Sequence, residues 1–137
     1  MIPPWHKKFR VSLRALGPEL ITVAADRDFS AGQSNWTVEA GDDVTWDNTD
    51  MDFACDESNI ARLVVTLTEG NLYKLQFDIS AYTSGDLLAY VGATSQAITE
   101  AVDTFIVYIV ADAANYIQFS SSDFIGSIDN VSLKKVL

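Results

Sequence analysis

One cysteine, one histidine and three prolines stand in the 137 residues, and no apolar run approaches the length of a membrane helix. Cys55 has no second cysteine to pair with, which excludes an internal disulfide and any metal clip built on two thiols. His6 is the only imidazole, so a Ser-His-Asp or Cys-His arrangement would need its base close to the N-terminus, and a zinc site with several nitrogen or sulfur ligands cannot be assembled. Glycine-rich phosphate loops and the Gly-x-Ser-x-Gly turn are missing as well. Paired acids for glycoside hydrolysis are available by residue type, but surface carboxylates on an acidic domain explain them without catalysis. The expectation is a protein that is not an enzyme and requires no cofactor. The longest apolar run, Phe105 to Ala111, is strand-sized and far short of the ~20 residues that span a bilayer, so no membrane partner is expected. Met1-Ile2-Pro3-Pro4-Trp5-His6-Lys7-Lys8 offers no apolar stretch of the signal-peptide kind, and synthesis in a reducing cytoplasm is the expectation.

Basic residues are scarce and unevenly placed. The formal charge is −10, and residues 1–20 hold Lys7, Lys8, Arg10 and Arg14 against Glu19 alone, a net of +3 that leaves −13 for the rest. Between Arg27 and Arg62 no basic residue occurs, while Asp28, Glu39, Asp42, Asp43, Asp47, Asp50, Asp52, Asp56 and Glu57 all do. Such an acidic body repels nucleic acid and anionic membrane, so no specific nucleic-acid partner is expected. The reading is a basic, extended arm over residues 1–18, opened by Pro3-Pro4, and an acidic domain over residues 19–137. Within the arm, Val11, Leu13 and Leu16 suit either a strand or a short helical turn.

Nearly half the residues are apolar, which suits a single packed domain. From Glu19 onward short segments rich in β-branched and aromatic residues alternate with turn residues, the pattern of an all-β sandwich or barrel. About nine strands are predicted, near 19–25, 34–40, 43–48, 60–68, 71–80, 86–92, 103–111, 115–120 and 126–134. The clearest alternation sets Tyr73, Leu75, Phe77 and Ile79 against Lys74, Gln76 and Asp78, giving one core face and one wet face. Trp36, Val107, Ile117, Phe119 and Ile128 join these four apolar residues as the predicted core. Phe105 to Val110 is apolar on both faces, which implies a central strand or a docking strand.

Leu20-Ile21, Asp28-Phe29-Ser30, Asn35-Trp36-Thr37, Leu72 to Ser80 and Gly126-Ser127-Ile128-Asp129-Asn130-Val131-Ser132-Leu133 together carry a likeness. From about residue 19 to the C-terminus the chain resembles the carbohydrate-binding-module type of domain, the galactose-binding-like sandwich found on polysaccharide hydrolases and on bacteriophage virion proteins. The resemblance implies an all-β fold: a two-sheet antiparallel jelly-roll β-sandwich, here with an extended N-terminal arm. One departure stands out, since the family's opening Asn-Gly-Asp-Phe reads Asp26-Arg27-Asp28-Phe29 here. The family also implies a structural calcium, which by position falls on Asp28 and Asp129, against the alternative that Asp129 caps a turn. The acidic stretch 47–52 lacks the pattern of an EF-hand loop and reads as solvated.

Two functions follow from the resemblance. The first is a structural virion protein, a capsid decoration or cement protein of a tailed bacteriophage, made in the host cytoplasm and displayed on the virion surface. Its partners would be the major capsid protein or other virion subunits. Trp5, Lys7, Lys8, Phe9, Arg10 and Arg14 would anchor it, and self-association, a trimer for instance, fits the opposite charges of arm and body. The alternative is a carbohydrate-binding module on a phage tail or fibre or on a polysaccharide-active protein. Trp46, Tyr82, Tyr90 and Tyr116 are then the candidate stacking platform for a glycan, set against the alternative that each packs in the core.

Overall fold

Alternation of apolar and polar residues governs the fold throughout the computed structural model, which describes residues 15–98 and 100–137. The arm residues Trp5, Lys7, Lys8, Phe9, Arg10 and Arg14 lie outside the described residues. Eleven strands and one short helix are described: β1 (Leu16–Glu19), α1 (Ala24–Asp28), β2 (Thr37–Ala40), β3 (Val44–Trp46), β4 (Met51–Ala54), β5 (Asn59–Val64), β6 (Leu72–Ser84), β7 (Leu87–Val91), β8 (Thr94–Ile98), β9 (Asp103–Val110), β10 (Tyr116–Ser121) and β11 (Ile125–Val136). One sheet runs in the order β3-β4-β11-β6-β9, with β1 added against β11, and the other in the order β2-β5-β10-β7-β8; every pairing is antiparallel. The result is the two-sheet antiparallel sandwich that the alternation implied.

All nine predicted core residues belong to the observed core, which is larger and also holds Phe29, Met51, Phe53 and Phe124. Trp36, Tyr73, Leu75, Phe77, Ile79, Val107, Ile117, Phe119 and Ile128 are all buried between the sheets. Phe77 of one sheet meets Phe119 of the other edge-on at 4.8 Å between ring centroids, and Phe119 in turn stacks on Trp36 at 5.9 Å. These rings pin the two layers together, because aromatic pairs add to the burial of their own area.

Four elements differ from the sequence reading. The strand predicted at 19–25 is instead the end of β1 followed by α1. The Glu19 carboxylate accepts the backbone N–H of Ile21, turning the chain out of the sheet, and Ala24-Ala25 favour helix. Phe29 then closes α1 in the left-handed region at φ 57°, its N–H donating to the Ala25 carbonyl at 3.0 Å. The sandwich also begins before residue 19, since Leu16 of β1 registers with Val136 of β11. Two strands were not anticipated. In β4, Met51 and Phe53 point inward from an acidic stretch, and β8 is a polar edge strand with only Ile98 buried. Finally, β9 is not central: it forms the edge beyond β6, with Val107 and Ile109 facing the core and Ile106, Tyr108 and Val110 about half exposed.

Candidate functional site

The wet face of the five-stranded sheet gathers polar and aromatic side chains from three adjacent strands. Since Ala61, Leu63, Ala89, Val91, Ile117 and Phe119 point inward, the intervening Arg62, Tyr90, Tyr116 and Gln118 lie on the outer side, the first three half-buried and Gln118 only 5% exposed. Register sets Arg62 of β5 opposite Gln118 of β10, and Gln118 opposite Tyr90 of β7, so the three form one row across the sheet. Arg62 donates from Nε and Nη2 to Gln118 Oε1 at 3.0 and 2.8 Å, and its guanidinium carbon lies 3.9 Å from the centre of the Tyr116 ring. Arg62 is thus fixed by a fork of two hydrogen bonds and a cation–π contact. Gln118 is held by its oxygen while its amide NH2 has no hydrogen-bond partner among the described residues. Thr37 of β2 and Ser95 of β8 extend the row at either end.

Of the four aromatics predicted as a platform, the fold brings Tyr90 and Tyr116 onto this one face. Trp46 and Tyr82 belong to the other sheet and pack against the core. The Trp46 indole N–H is buried without a hydrogen-bond partner among the described residues, and the Tyr82 hydroxyl donates to the Gly85 carbonyl at 3.0 Å while its ring lies 6.2 Å from that of Phe124. Sequence reasoning missed Arg62 and Gln118. Their signal was the inside-outside alternation of 59–64 and 116–121, which assigns a face but says nothing of which strands are neighbours.

Asp28 and Asp129 lie beside other acids. Asp28 is exposed, and the Ser30 backbone N–H donates to it at 3.0 Å, which holds its carboxyl below the usual value. Asp129 is pushed up, first by burial and then, against an opposing hydrogen bond from the Asn130 N–H, by the charges of Asp78, Asp28 and Asp47. The two predicted calcium ligands therefore share one electrostatic neighbourhood. The described acids whose oxygens converge within 4.8 Å are other ones: Asp47, Asp50 and Asp52 in one group, Asp42, Asp43 and Glu57 in another. Cys55 is buried, which pushes its thiol up to about 11 and leaves it protonated and unreactive.

Asp50 offers a pH test. Partial burial, then the charges of Asp52 and Asp47, push its carboxyl up to about 6. The folded chain therefore holds a proton more tightly than the unfolded one, and stability falls as pH rises from ~4, the unfolded value, through the folded value. Asp50→Asn is expected to be more stable than the parent at pH 7 in metal-free buffer, by about 1 kcal/mol after allowing for solvent screening. The advantage should vanish near pH 4. A difference that stays constant across that range in denaturant melts would show that the charge of Asp50 is not its cause.

No protein-family model matches the chain, and no curated protein does. Among solved structures, the tailspike protein 4 enzymatically active domain of bacteriophage CBA120 superposes with TM-score 0.57 at 17% identity, covering 84% of this chain and 21% of that one. The K3 cleaved adhesin domain of Lys-gingipain from Porphyromonas gingivalis W83 gives TM-score 0.53 at 14% identity, covering 88% of this chain and 98% of that domain. A family 16 carbohydrate-binding module gives 0.44 at 11% identity over 78% and 90% of the two chains. This chain thus spans about a fifth of the tailspike chain, and it shares with that protein and with the adhesin domain a β-sandwich fold.

Proposed function

We propose that the chain is a non-enzymatic carbohydrate-binding module of a bacteriophage virion protein, holding a glycan on the outer face of the five-stranded sheet. The row Tyr90-Gln118-Arg62, with Tyr116 beside it, carries the reading. The C–H faces of a sugar ring stack on aromatic rings, and its hydroxyls exchange hydrogen bonds with amide and guanidinium groups. Gln118 is already oriented by Arg62, so little side-chain freedom remains to be lost on binding. The placing on a virion surface extends to this chain what the tailspike's name says of that protein.

On a glycan array the intact chain is expected to retain a defined set of oligosaccharides, and Tyr90→Ala and Gln118→Ala are each expected to weaken retention at least ~10-fold, the loss of one stacking contact or of one hydrogen bond together with the hold on Arg62. Unchanged retention in both variants would remove the sheet face from the reading.

A second reading, a capsid decoration protein anchored through residues 1–18, draws on the half-exposed apolar row Ile106, Tyr108 and Val110 along the edge strand β9, which an assembled shell would cover. No retained glycan together with co-sedimentation of the chain with phage capsids would favour it. The family's calcium is part of the proposal, held by Asp28 and Asp129, where a divalent cation would offset the mutual repulsion of these acids. Millimolar calcium is expected to raise the melting temperature by a few degrees, and Asp129→Asn to abolish the rise.

A further inference from the structure

Among the described residues, β1, β3, β9, β2 and β8 bound the two sheets, and all but β9 are guarded against pairing with another chain. β3 has three residues, and β1 contains Gly17-Pro18 and loses register between Leu16 and Glu19. β2 slips register between Val38 and Ala40 and carries Glu39, and β8 exposes Thr94, Ser95 and Gln96. Short length, proline, bulges and polar or charged side chains are the devices that keep a sheet edge from acting as a template. β9 has none of them. It runs eight residues in unbroken register against β6, from Asp103 opposite Ile79 to Val110 opposite Leu72, and its single charge, Asp103, stands at its first position.

Register also fixes which way the backbone of β9 points. Just past its end, Ala111 donates its N–H to the Asn71 carbonyl on the β6 side at 2.9 Å. Direction alternates along an antiparallel strand, so Ile109, Val107 and Phe105 bond to β6, while Val110, Tyr108, Ile106 and Thr104 turn N–H and C=O to the open side. The Thr104 N–H agrees, being held by Asp103 Oδ1 at 2.8 Å and not by β6. The open-side groups of Ile106, Tyr108 and Val110 have no hydrogen-bond partner among the described residues. The same three residues set half-exposed apolar side chains on the outer face. Backbone edge and apolar row therefore fit one kind of occupant, an extended strand.

We propose that the occupant is β9 of a second copy, laid antiparallel about a two-fold axis at Val107 and joining the two larger sheets into one. In that register Ile106 stands opposite Tyr108 of the second copy and Thr104 opposite Val110, so each residue whose backbone faces outward meets another that does the same, with β-branched side chains against aromatic or β-branched ones. Like charges stay apart, as a chain of formal charge −10 requires. Asp103 faces Ala111 of the second copy, and the two Asp103 residues lie at opposite ends of the pair, about 27 Å apart at ~3.4 Å per residue. An in-register parallel pair would set them side by side. The Tyr90-Gln118-Arg62 row lies on the other sheet and stays open.

Sedimentation equilibrium and electron-spin distance measurements on the full chain test it. A contact confined to two edge strands is at the small end of protein interfaces, so a monomer–dimer equilibrium with a Kd of about 1–100 μM is expected. Ile106→Lys puts a charge into the apolar row and should weaken the dimer at least ~10-fold, with the melting temperature within a few degrees of the parent because the site is half-exposed. Tyr108→Pro removes an N–H that points to the open side and should weaken the dimer as much, since proline is tolerated where a strand's N–H faces away from its ladder. Nitroxides on Thr104→Cys should lie about 20 Å apart, the spacing of an antiparallel pair centred on Val107. Tyr90→Ala should leave the dimer intact, which separates this contact from the glycan face. A chain still monomeric at about 1 mM, a dimer that both β9 variants leave unchanged, or nitroxides about 5 Å apart as in a parallel pair would overturn the proposal.

Discussion

Trp36→Ala is expected to destabilise the sandwich by about 4 kcal/mol, lowering the melting temperature by about 15 °C. Trp36 is 1% exposed, and its indole is held on three sides. The ring of Phe29 lies 5.8 Å away and that of Phe119 5.9 Å away, while the indole N–H donates to the Asp26 carbonyl at 2.9 Å. Alanine leaves a cavity that these rings cannot fill without moving either sheet, and it strands a buried carbonyl. The loss also reaches α1, because Asp26 accepts from both the backbone and the side-chain amide of Asn35, so the helix and the Trp36 segment are one unit. Trp36→Phe restores most of the apolar area and should recover most of the stability, leaving only the unmet carbonyl. Equal destabilisation of the two variants in denaturant melts would show that the hydrogen bond, and not the packing, is the main term.

That tryptophan was legible in the sequence, as were the other eight predicted core residues, for a simple reason. Strand alternation has a period of two, and a residue such as Leu75 or Phe119 flanked by polar neighbours has only one face it can take. The helix at 24–28 was not legible, because Ile21-Thr22-Val23 reads as strand until the Glu19 carboxylate captures the Ile21 N–H, a contact set by β11 bringing Ser132 and Leu133 to the same carboxylate. For β9 the apolar outer row was visible, but its position at the sheet edge was not, since strand order is a property of pairing and not of any single strand. The same limit applies to the candidate site. Tyr90 and Tyr116 could be named as aromatics near strand ends, whereas Arg62 and Gln118, fifty-six residues apart, become partners only through the β5-β10 register.

Gly85→Ala is expected to be the most damaging single-methyl change in the chain, costing more than ~3 kcal/mol. Gly85 turns the chain from β6 into β7 at φ +86°, where an L side chain is strained, and a Cβ there would overlap the Asp123 carbonyl and lie 2.6 Å from the Phe124 nitrogen. Those are backbone atoms, and they are not free to retreat. Asp123 Oδ1 accepts the Asp86 N–H at 2.9 Å, the Ser121 hydroxyl accepts the N–H groups of Asp123 and Phe124 and donates to the Asp86 carbonyl, and Tyr82 donates to the Gly85 carbonyl at 3.0 Å. Relief requires breaking this cluster or shifting β7, and β7 carries Tyr90 in register with Gln118. The variant should therefore lose glycan retention along with stability. Gly70 supplies the control: its φ is +87° but nothing lies within 4 Å of where a methyl would stand, so Gly70→Ala meets the conformational strain alone, about 1 kcal/mol. A Gly85→Ala variant no less stable than Gly70→Ala would mean that the turn yields, and that the Ser121-Asp123 cluster does not fix where β7 begins.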